Sequence, residues 1–568
     1  MNLKDPRDVT VSIVVPVYRP QPQHLREAIE SVLAQTSDGW ELVLVADGPQ
    51  PGEIERILSG LDDERILVHR RSDQGGIVAA SNDAIDRASG EFVCFLDNDD
   101  TLDPSAIQAL HEVIAAQPDT DVIYTDEDKL DLDGRRVVPF HKPGWSPERL
   151  RSQMYIGHLA AYRTSLVRDI GCLRAEFNGS QDHDLALRAT EQARRIVHIP
   201  RVLYHWRMSE TSTAFDPSTK DWAFEAGVRA VQSQLDRLGM LATAVRDHDR
   251  VGVVSVNPRL DRYPLVSVVV LTGGTSRIAS GRDMVLVENC VASVVAMSSY
   301  PNYEIVVVLD RFAPDALGDR LLALGQGHVR LLRDTEEFSF AGANNKAVRG
   351  AAGDLLIFLN DDTEVITPDW IERFVLYLLQ PDVGAVGCCL EYPDGTIQHA
   401  GVASREGGPG HRSVGMLRDE TGEFQALGLT LNALAVTGAC LGVAREKFEA
   451  VGGFTLLFPL SFNDVDLCLK LVSQGWRTVL DNRTRIVHFE SSSREPAVKS
   501  WEHLLLLERW WHLLNDDPWD NGNLVGYRVD EIPPPTALTR LRELTGQSFA
   551  PRSWPLELVP NASFVPNA

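Results

Sequence analysis

The stretch FLDNDDTLDP, Phe95–Pro104, returns as FLNDDTEVITP, Phe358–Pro368, and this echo constrains the fold more than any other feature of the chain. Asp99 and Asp362 stand 263 positions apart, and so do Asp47 and Asp310. IVAASNDAIDRASGE is mirrored by FAGANNKAVRGAAGD at the same offset. Farther on, with small insertions, YIGHLAAYR answers VTGACLGVAR, SQDHDLALR answers FNDVDLCLK and VLYHWR answers RIVHFE. Matched segments in one order mean a tandem duplication of a whole domain, because the period is far longer than the repeats of a solenoid. At 568 residues, 44% of them hydrophobic, the chain has enough apolar material for two cores. The expected division is a first domain over 1–215, a helical linker over 216–262, a second domain over 263–515 and a tail over 516–568.

Each half reads as alternating strands and helices. VSIVV at Val11–Val15 is a β-branched run of the kind that forms a buried strand. Leu25, Ala28, Ile29, Val32 and Leu33 follow at helical spacing, then ELVLVADG forms a second buried strand ending at Asp47. ILVHR, a loop and helix, and FVCFLDNDD continue the alternation, and VSVVV at Val266 restarts it. The pattern predicts a mainly parallel, doubly wound α/β sheet in each half. Trp501–Leu514, WEHLLLLERWWHLL, reads as an amphipathic helix expected to pack on the core, with membrane contact as the alternative. The tail from Ile532 reads as surface loop.

The formal net charge of −25 argues against a nucleic-acid partner and offers no basic footprint for anionic lipid. Seven scattered cysteines without a C-x-x-C pair point to a reducing compartment. MNLKDPRDVT has no apolar core of a secretion signal, and the longest weakly polar stretch, Leu431–Ala444, is too short to span a bilayer. A cytoplasmic protein is expected, with peripheral contact at the inner face of the cell membrane left open.

In an open α/β sheet, ligands sit beyond the carboxyl ends of the strands. Asp47, Asp97 and Asp99 each follow a strand, so they should line one crevice. An aspartate after a strand also serves as a turn or cap, and for Asp47 alone both readings stand. Two carboxylates at i and i+2, leaving a buried strand, suit a hard divalent cation such as Mg²⁺ or Mn²⁺. SQDHD places Asp182 at the start of a helix, where the dipole favours acids and where a carboxylate can also act as general base. The same frame recurs at Asp464. His205 and His488 close the two halves, and each reads either as a structural residue or as a metal ligand. No P-loop, G-x-G-x-x-G or G-x-S-x-G signature is present.

VSIVVPVY, the strand ending at Asp47, RSDQGGIVAASN, FLDNDD, GSQDHDLALR and LYHWR together resemble a family 2 glycosyltransferase domain of the GT-A fold. The resemblance covers about residues 10–210 and again 264–525, and the tandem arrangement is similar to bacterial enzymes of O-antigen, rhamnan and related surface-polysaccharide assembly. It implies two tandem GT-A domains, each a doubly wound mixed sheet, and an inverting transfer from a nucleotide-diphosphate sugar to a lipid-linked or polysaccharide acceptor. By that resemblance Asp47 and Asp73 bind the donor nucleotide, Asp97 and Asp99 form the metal and diphosphate motif, and Asp182 is the base. His205 is then a further ligand of the Mn²⁺ or Mg²⁺ ion. Tyr124–Trp145 belongs to the acceptor side, where Trp145 either stacks on a sugar ring or simply packs. Contact with polysaccharide-export machinery is a further expectation of this kind.

The second half matches with departures. Asp310 and Asn360 take the donor positions, Asp362 and His488 the metal positions, and Asp464 the position of the base. Asn360 stands where the first half has Asp97, and PVYRP becomes the glycine-rich LTGGTSRIASGRD. Two readings follow: two transferase sites in one chain, or an active first domain beside a non-catalytic glycan-binding or scaffolding second domain. A sugar nucleotidyltransferase is a third possibility, but no glycine-rich basic nucleotide-activating loop stands near the N-terminus.

Overall fold

The computed structural model describes residues 11–208, 221–279, 282–405, 408–417, 420, 422–489 and 500–521. It divides into two units, with the boundary between Val256 and Asn257.

The first unit is built on a nine-stranded sheet. Its strands are β1 (Val11–Val17), β2 (Trp40–Ala46), β3 (Ile66–Arg70), β4 (Phe92–Phe95), β5 (Thr101–Leu102), β6 (Val122–Leu130), β7 (Arg136–Phe140), β8 (Ala160–Arg163) and β9 (Ile196–Arg207). They run in the order β3-β2-β1-β4-β8-β6-β9-β5, with β7 hydrogen-bonded to β6. All seven residues of β1 are buried, as a strand covered on both faces requires. Helix Pro22–Leu33 starts with proline at its first turn and buries Leu25, Ala28, Ile29 and Val32. Leu33, expected on the same stripe, is exposed, because eight residues of helix rotate it about 80° away from Leu25.

The sheet is less parallel than the alternation of strands and helices predicts. β1 pairs in parallel with β2 and β4, and β2 with β3. β8 then runs antiparallel to both β4 and β6, while β9 returns parallel to β6. The nucleotide-binding style of βαβ crossover therefore occupies one side only, and a mixed sheet occupies the other.

The second unit repeats this path. Its ten-stranded sheet runs Val329–Arg333, Tyr303–Leu309, Val266–Thr272, Leu355–Asn360, Cys440–Ala444, Val383–Glu391, Arg477–His488, Thr363–Val365. Ile397–His399 and Thr430–Asn432 add to Val383–Glu391 and Arg477–His488 respectively. The glycine-rich insertion forms a hairpin of Ser276–Ala279 against Arg282–Val285.

Helix Asp221–Arg237 and strand Ala242–Arg246, which fall in the stretch expected to link the halves, belong to the first unit, and Val254–Pro258, paired with that strand, runs across the boundary. Ser180 Oγ donates to the Ala223 carbonyl at 2.8 Å, and Arg237 pairs with Glu191 at 2.6 Å. Helix Ser500–Leu514 belongs to the second core, where Leu506, Leu507, Trp510 and Leu514 are buried. The surface tail expected from Ile532 lies outside the described residues. All seven cysteines are free. Among the described residues no helix is long and apolar enough to cross a membrane.

Candidate active site

The carboxyl ends of β2 and β4 carry the expected acids Asp47, Asp97 and Asp99. Asp47 follows β2 and is buried. Its two oxygens accept the backbone N–H groups of Gly75 and Gly76, each at 2.8 Å, and Arg71 Nε lies 3.1 Å away. The carboxylate thus caps helix Gly76–Arg87, whose first residue is a glycine at φ +83°. Asp73 is exposed and accepts from Ser72 Oγ at 2.9 Å.

The three acids after β4 divide their work. Asp100 is fully buried, accepting the Tyr204 hydroxyl at 2.5 Å and the Arg207 N–H at 2.7 Å. Burial, then the charge of Asp97, holds its carboxyl well above the usual range. It fixes the tip to β9. Asp97 is 41% exposed at its side chain and opens into a cleft. Asp99 is partly buried, and burial followed by the neighbouring Asp97 raises its pKa. A carboxylate such as Asp99, whose ionisation is opposed by burial and by a neighbouring acid at the same strand tip, is a donor that a hard cation relieves.

His205 lies beside this tip because β5 and β9 pair in the register Thr101↔His205. Its Nδ1 is 2.6 Å from Asp128 Oδ1, and Asp128 also takes Arg136 Nε at 2.6 Å. A carboxylate on one imidazole nitrogen orients the ring and leaves Nε2 for a ligand. Among the described residues, no group of three or more His, Cys, Asp or Glu is assembled to hold a metal by itself. The arrangement fits the other mode of binding, in which one or two carboxylates share the ion with substrate phosphates and water. Asp97, Asp99 and His205 are the residues that would do so.

The cleft brings Asp97 and Asp182 together, with His158, Met154, Tyr162 and Gln181 also in its lining. Asp182 stands in the first turn of helix Gln181–Gln192 and is exposed. Its Oδ1 accepts the His183 N–H at 2.8 Å. Trp145 is half-buried and is not among the residues lining this cleft. Sequence reasoning missed Asp128, Lys142 and His158. Asp128 and Lys142 lay inside a stretch read only as acceptor side, and the one signal for His158 was its mismatch with Ala439 between YIGHLAAYR and VTGACLGVAR.

The second unit sets the same positions differently. Asp310 accepts the Phe312 N–H at 2.9 Å, closing a local turn, while Ser339 caps the following helix by accepting the Gly342 N–H. Asp361 takes the Thr272 hydroxyl at 2.6 Å. Asp362 is buried, and its Oδ1 lies 3.0 Å from His488 Nε2, with Asn360 Nδ2 at 3.4 Å from the same nitrogen. Burial pushes the Asp362 carboxyl up, but the His488 hydrogen bond and charge, with smaller help from Arg277, outweigh it and hold it below its usual value. His488 Nδ1 rests on Gln398 Oε1 at 2.6 Å, an amide where His205 has a carboxylate. Asp464 has both oxygens engaged by backbone, accepting Gly438 N–H at 2.7 Å and Val465 N–H at 2.8 Å.

Comparison with known proteins accounts for the doubled frame. The model of "Glycosyl transferase family 2" matches residues 12–171 and again 285–452, together more than half of the chain. Asp182, His205, Asp464 and His488 lie beyond the matched segments. Protein y4gI of Sinorhizobium fredii is 39% identical over 92% of this chain, which spans 58% of that protein. O-antigen biosynthesis protein RfbC of Myxococcus xanthus is 36% identical over 90% of this chain, which spans 40% of that protein. A mannosyltransferase from Pyrobaculum calidifontis, solved with GDP-Man and Mn²⁺, is 20% identical over 44% of this chain and 65% of its own, at a TM-score of 0.31. The doubled sheet path and the doubled match agree with each other, and the chain belongs to glycosyl transferase family 2 in both of its halves.

Proposed function

We propose that the chain transfers sugars, with inversion, from nucleotide-diphosphate sugars to a lipid-linked or polysaccharide acceptor during bacterial surface-glycan assembly. The observation that carries this reading is the single cleft shared by Asp97 and Asp182. A donor seated with its diphosphate at Asp97 and Asp99 would hold its anomeric carbon within reach of a hydroxyl on Asp182. Asp182 takes the proton of the acceptor hydroxyl, the oxygen attacks the anomeric carbon from the far side, and the bond to the nucleoside diphosphate breaks. Exposure and the lack of a second hydrogen bond from any described residue leave Asp182 Oδ2 available for that proton. Asp47 and its bonded Gly75–Gly76 turn shape the nucleotide end, with Asp73 at its rim. A bound Mn²⁺ or Mg²⁺ neutralises charge on the leaving diphosphate. The name of the Myxococcus relative supports a surface-polysaccharide setting, and an acceptor anchored at the inner face of the cell membrane suits it.

In the second half, Asp310, Asn360, Asp362, His488 and Asp464 would form a second transferase site. A specific observation favours the other reading, a glycan-binding second half. Asp464 has both oxygens tied to backbone N–H groups, and Asp362 is closed against His488. A panel of nucleotide sugars with Mn²⁺ or Mg²⁺, run on the wild type and on Asp99→Ala, Asp182→Ala and Asp362→Ala, tests the assignment. Full transfer from every donor by Asp182→Ala would sink the first site.

A further inference from the structure

His158 takes no part in the transfer as described, yet it lines the first cleft. Its ring stacks on Tyr204 with centroids 4.6 Å apart and planes 17° apart. Its N–H donates to Glu127 Oε2 at 2.9 Å, and its carbonyl accepts from Lys142 Nζ at 2.6 Å. Lys142 is fully buried and also donates to Glu127 Oε2 at 2.8 Å and to the Ile156 carbonyl at 2.5 Å. A buried ammonium is costly to keep, so its complete set of acceptors marks a segment whose backbone is tightly placed. Gly157 adds a further restraint: it sits at φ +46°, and a Cβ there would stand 2.7 Å from Glu127 Oε2.

All of this aims one nitrogen. His158 Nε2 lies 3.9 Å from Asp97 Oδ2, too far for a hydrogen bond. One oxygen at ~2.8 Å from each would bridge the gap, accepting from Nε2–H and donating to the carboxylate. A sugar hydroxyl has both capacities, whereas an ionised phosphate oxygen has no proton to donate to Asp97. The second half lacks the device. Phe92 pairs with Arg163 and Leu355 with Ala444 in equivalent strands, and counting back along each puts Ala439 at the place of His158.

We propose that His158 is a specificity-determining residue that grips, together with Asp97, a hydroxyl of the sugar being transferred in the first half, and that the buried Lys142–Glu127 pair positions it. The proposal rests on the transferase reading and deepens it: the first half selects its donor partly through the sugar, and the second half selects by other means. Calorimetric titrations with Mn²⁺ separate the two levels. The full chain, carrying Asp362→Ala to weaken the second half, is titrated with UDP, GDP and dTDP and with sugars linked to each. At least one nucleotide sugar should bind more tightly than its bare nucleoside diphosphate. In His158→Ala that advantage should fall about three- to tenfold, the size of one hydrogen bond, while the bare diphosphate binds as before. His158→Gln, which keeps an N–H donor, should recover part of it. Lys142→Met, with its circular dichroism intact, should repeat the His158→Ala pattern. Equal weakening of sugar nucleotide and bare diphosphate, an unchanged advantage in His158→Ala, or no advantage in the parent chain would each overturn the role of His158. Failure of the parent chain to bind any nucleoside diphosphate would instead overturn the transferase reading beneath it.

Discussion

At the first acid tip, burial and the neighbouring Asp97 raise the cost of ionising Asp99, and His205 stands by with Asp128 behind it. At the second tip, Asn360 replaces the first acid, and Asp362 leans directly on His488, behind which stands the neutral amide of Gln398. The strands are equivalent and the order of the sheet is the same. One lost carboxylate and one exchanged partner therefore change the electrostatic demand of the site without changing its frame. The first tip has negative charge in excess and gains from a cation; the second has much of its charge matched by its own side chains. The same contrast extends to the base positions, where Asp182 is exposed and Asp464 is tied by two backbone N–H groups.

The sharpest way to break this comparison is to remove the two carboxylates proposed as bases. Asp182→Ala should lower one transfer activity by about 10²–10⁴, the usual worth of a general base. Asp464→Ala should do the same to a second, distinct activity in two-site catalysis, and should leave every donor turned over normally if the second half only binds glycan. Transfer assays with each variant across a donor panel distinguish these. Next in size are the groups behind the two histidines. Asp128→Asn should weaken Mn²⁺-dependent donor binding by about 10–100-fold, the cost of losing a carboxylate that orients a ligand. Gln398→Ala should change it by less than about tenfold, because an amide polarises the imidazole less. Metal titrations of donor binding would show the order, and an equal effect of both changes would remove the asymmetry.

Two smaller effects sharpen the comparison through stability. Gly157→Ala should destabilise the first unit by about 1–2 kcal/mol, since an alanine there would be strained by the left-handed backbone and crowd Glu127. At the equivalent Gly438 an added Cβ meets Asp464 Cβ at 3.3 Å with no such backbone strain, so Gly438→Ala should cost less. Thermal melting gives both numbers. The last test is electrostatic, in protein stripped of divalent ions. Asp99 is raised, so ionising it opposes folding, and stability falls as pH climbs from the ordinary carboxylate value through its folded value. Asp362 is lowered, so its contribution is present above the ordinary carboxylate value and is lost as pH falls through its folded value. At pH 7, Asp99→Asn should raise stability and Asp362→Asn should lower it, each by about 1 kcal/mol, and the difference should vanish in strong acid. Melting curves in which both substitutions shift stability in the same direction would contradict the contrast.

Much of the fold was legible because its signals are local or repeated. Buried apolar runs announced β1, β2 and β4, and the offset of 263 carried each assignment into the second half. The acids of the cleft were legible for the same reason: each sits within a few residues of a strand end or a helix start. The partners of those acids were not. Asp47 meets Gly75 and Gly76 across 28 and 29 residues, and His205 meets Asp128 across 77. Such pairs depend on sheet register, and nothing in the spacing along the chain encodes which residue on β6 faces which on β9. The direction of β8 escaped for a related reason, since a short buried strand reads the same whether its neighbour runs with it or against it.

The sequence by itself determined that there are two copies of one α/β domain, that each ends its strands in acids, and that the second copy lost one of them. Those conclusions follow from periodicity, residue chemistry and self-comparison, which need no third dimension. The tertiary structure alone decided that Asp97 and Asp182 share a cleft, that Asp100 is a buried strut while Asp97 opens to that cleft, and that a buried lysine holds the His158 backbone with its ring 3.9 Å from Asp97. The physical reason is that burial and pairing set the state of a carboxylate, and both are properties of the packed molecule, not of its neighbours along the chain.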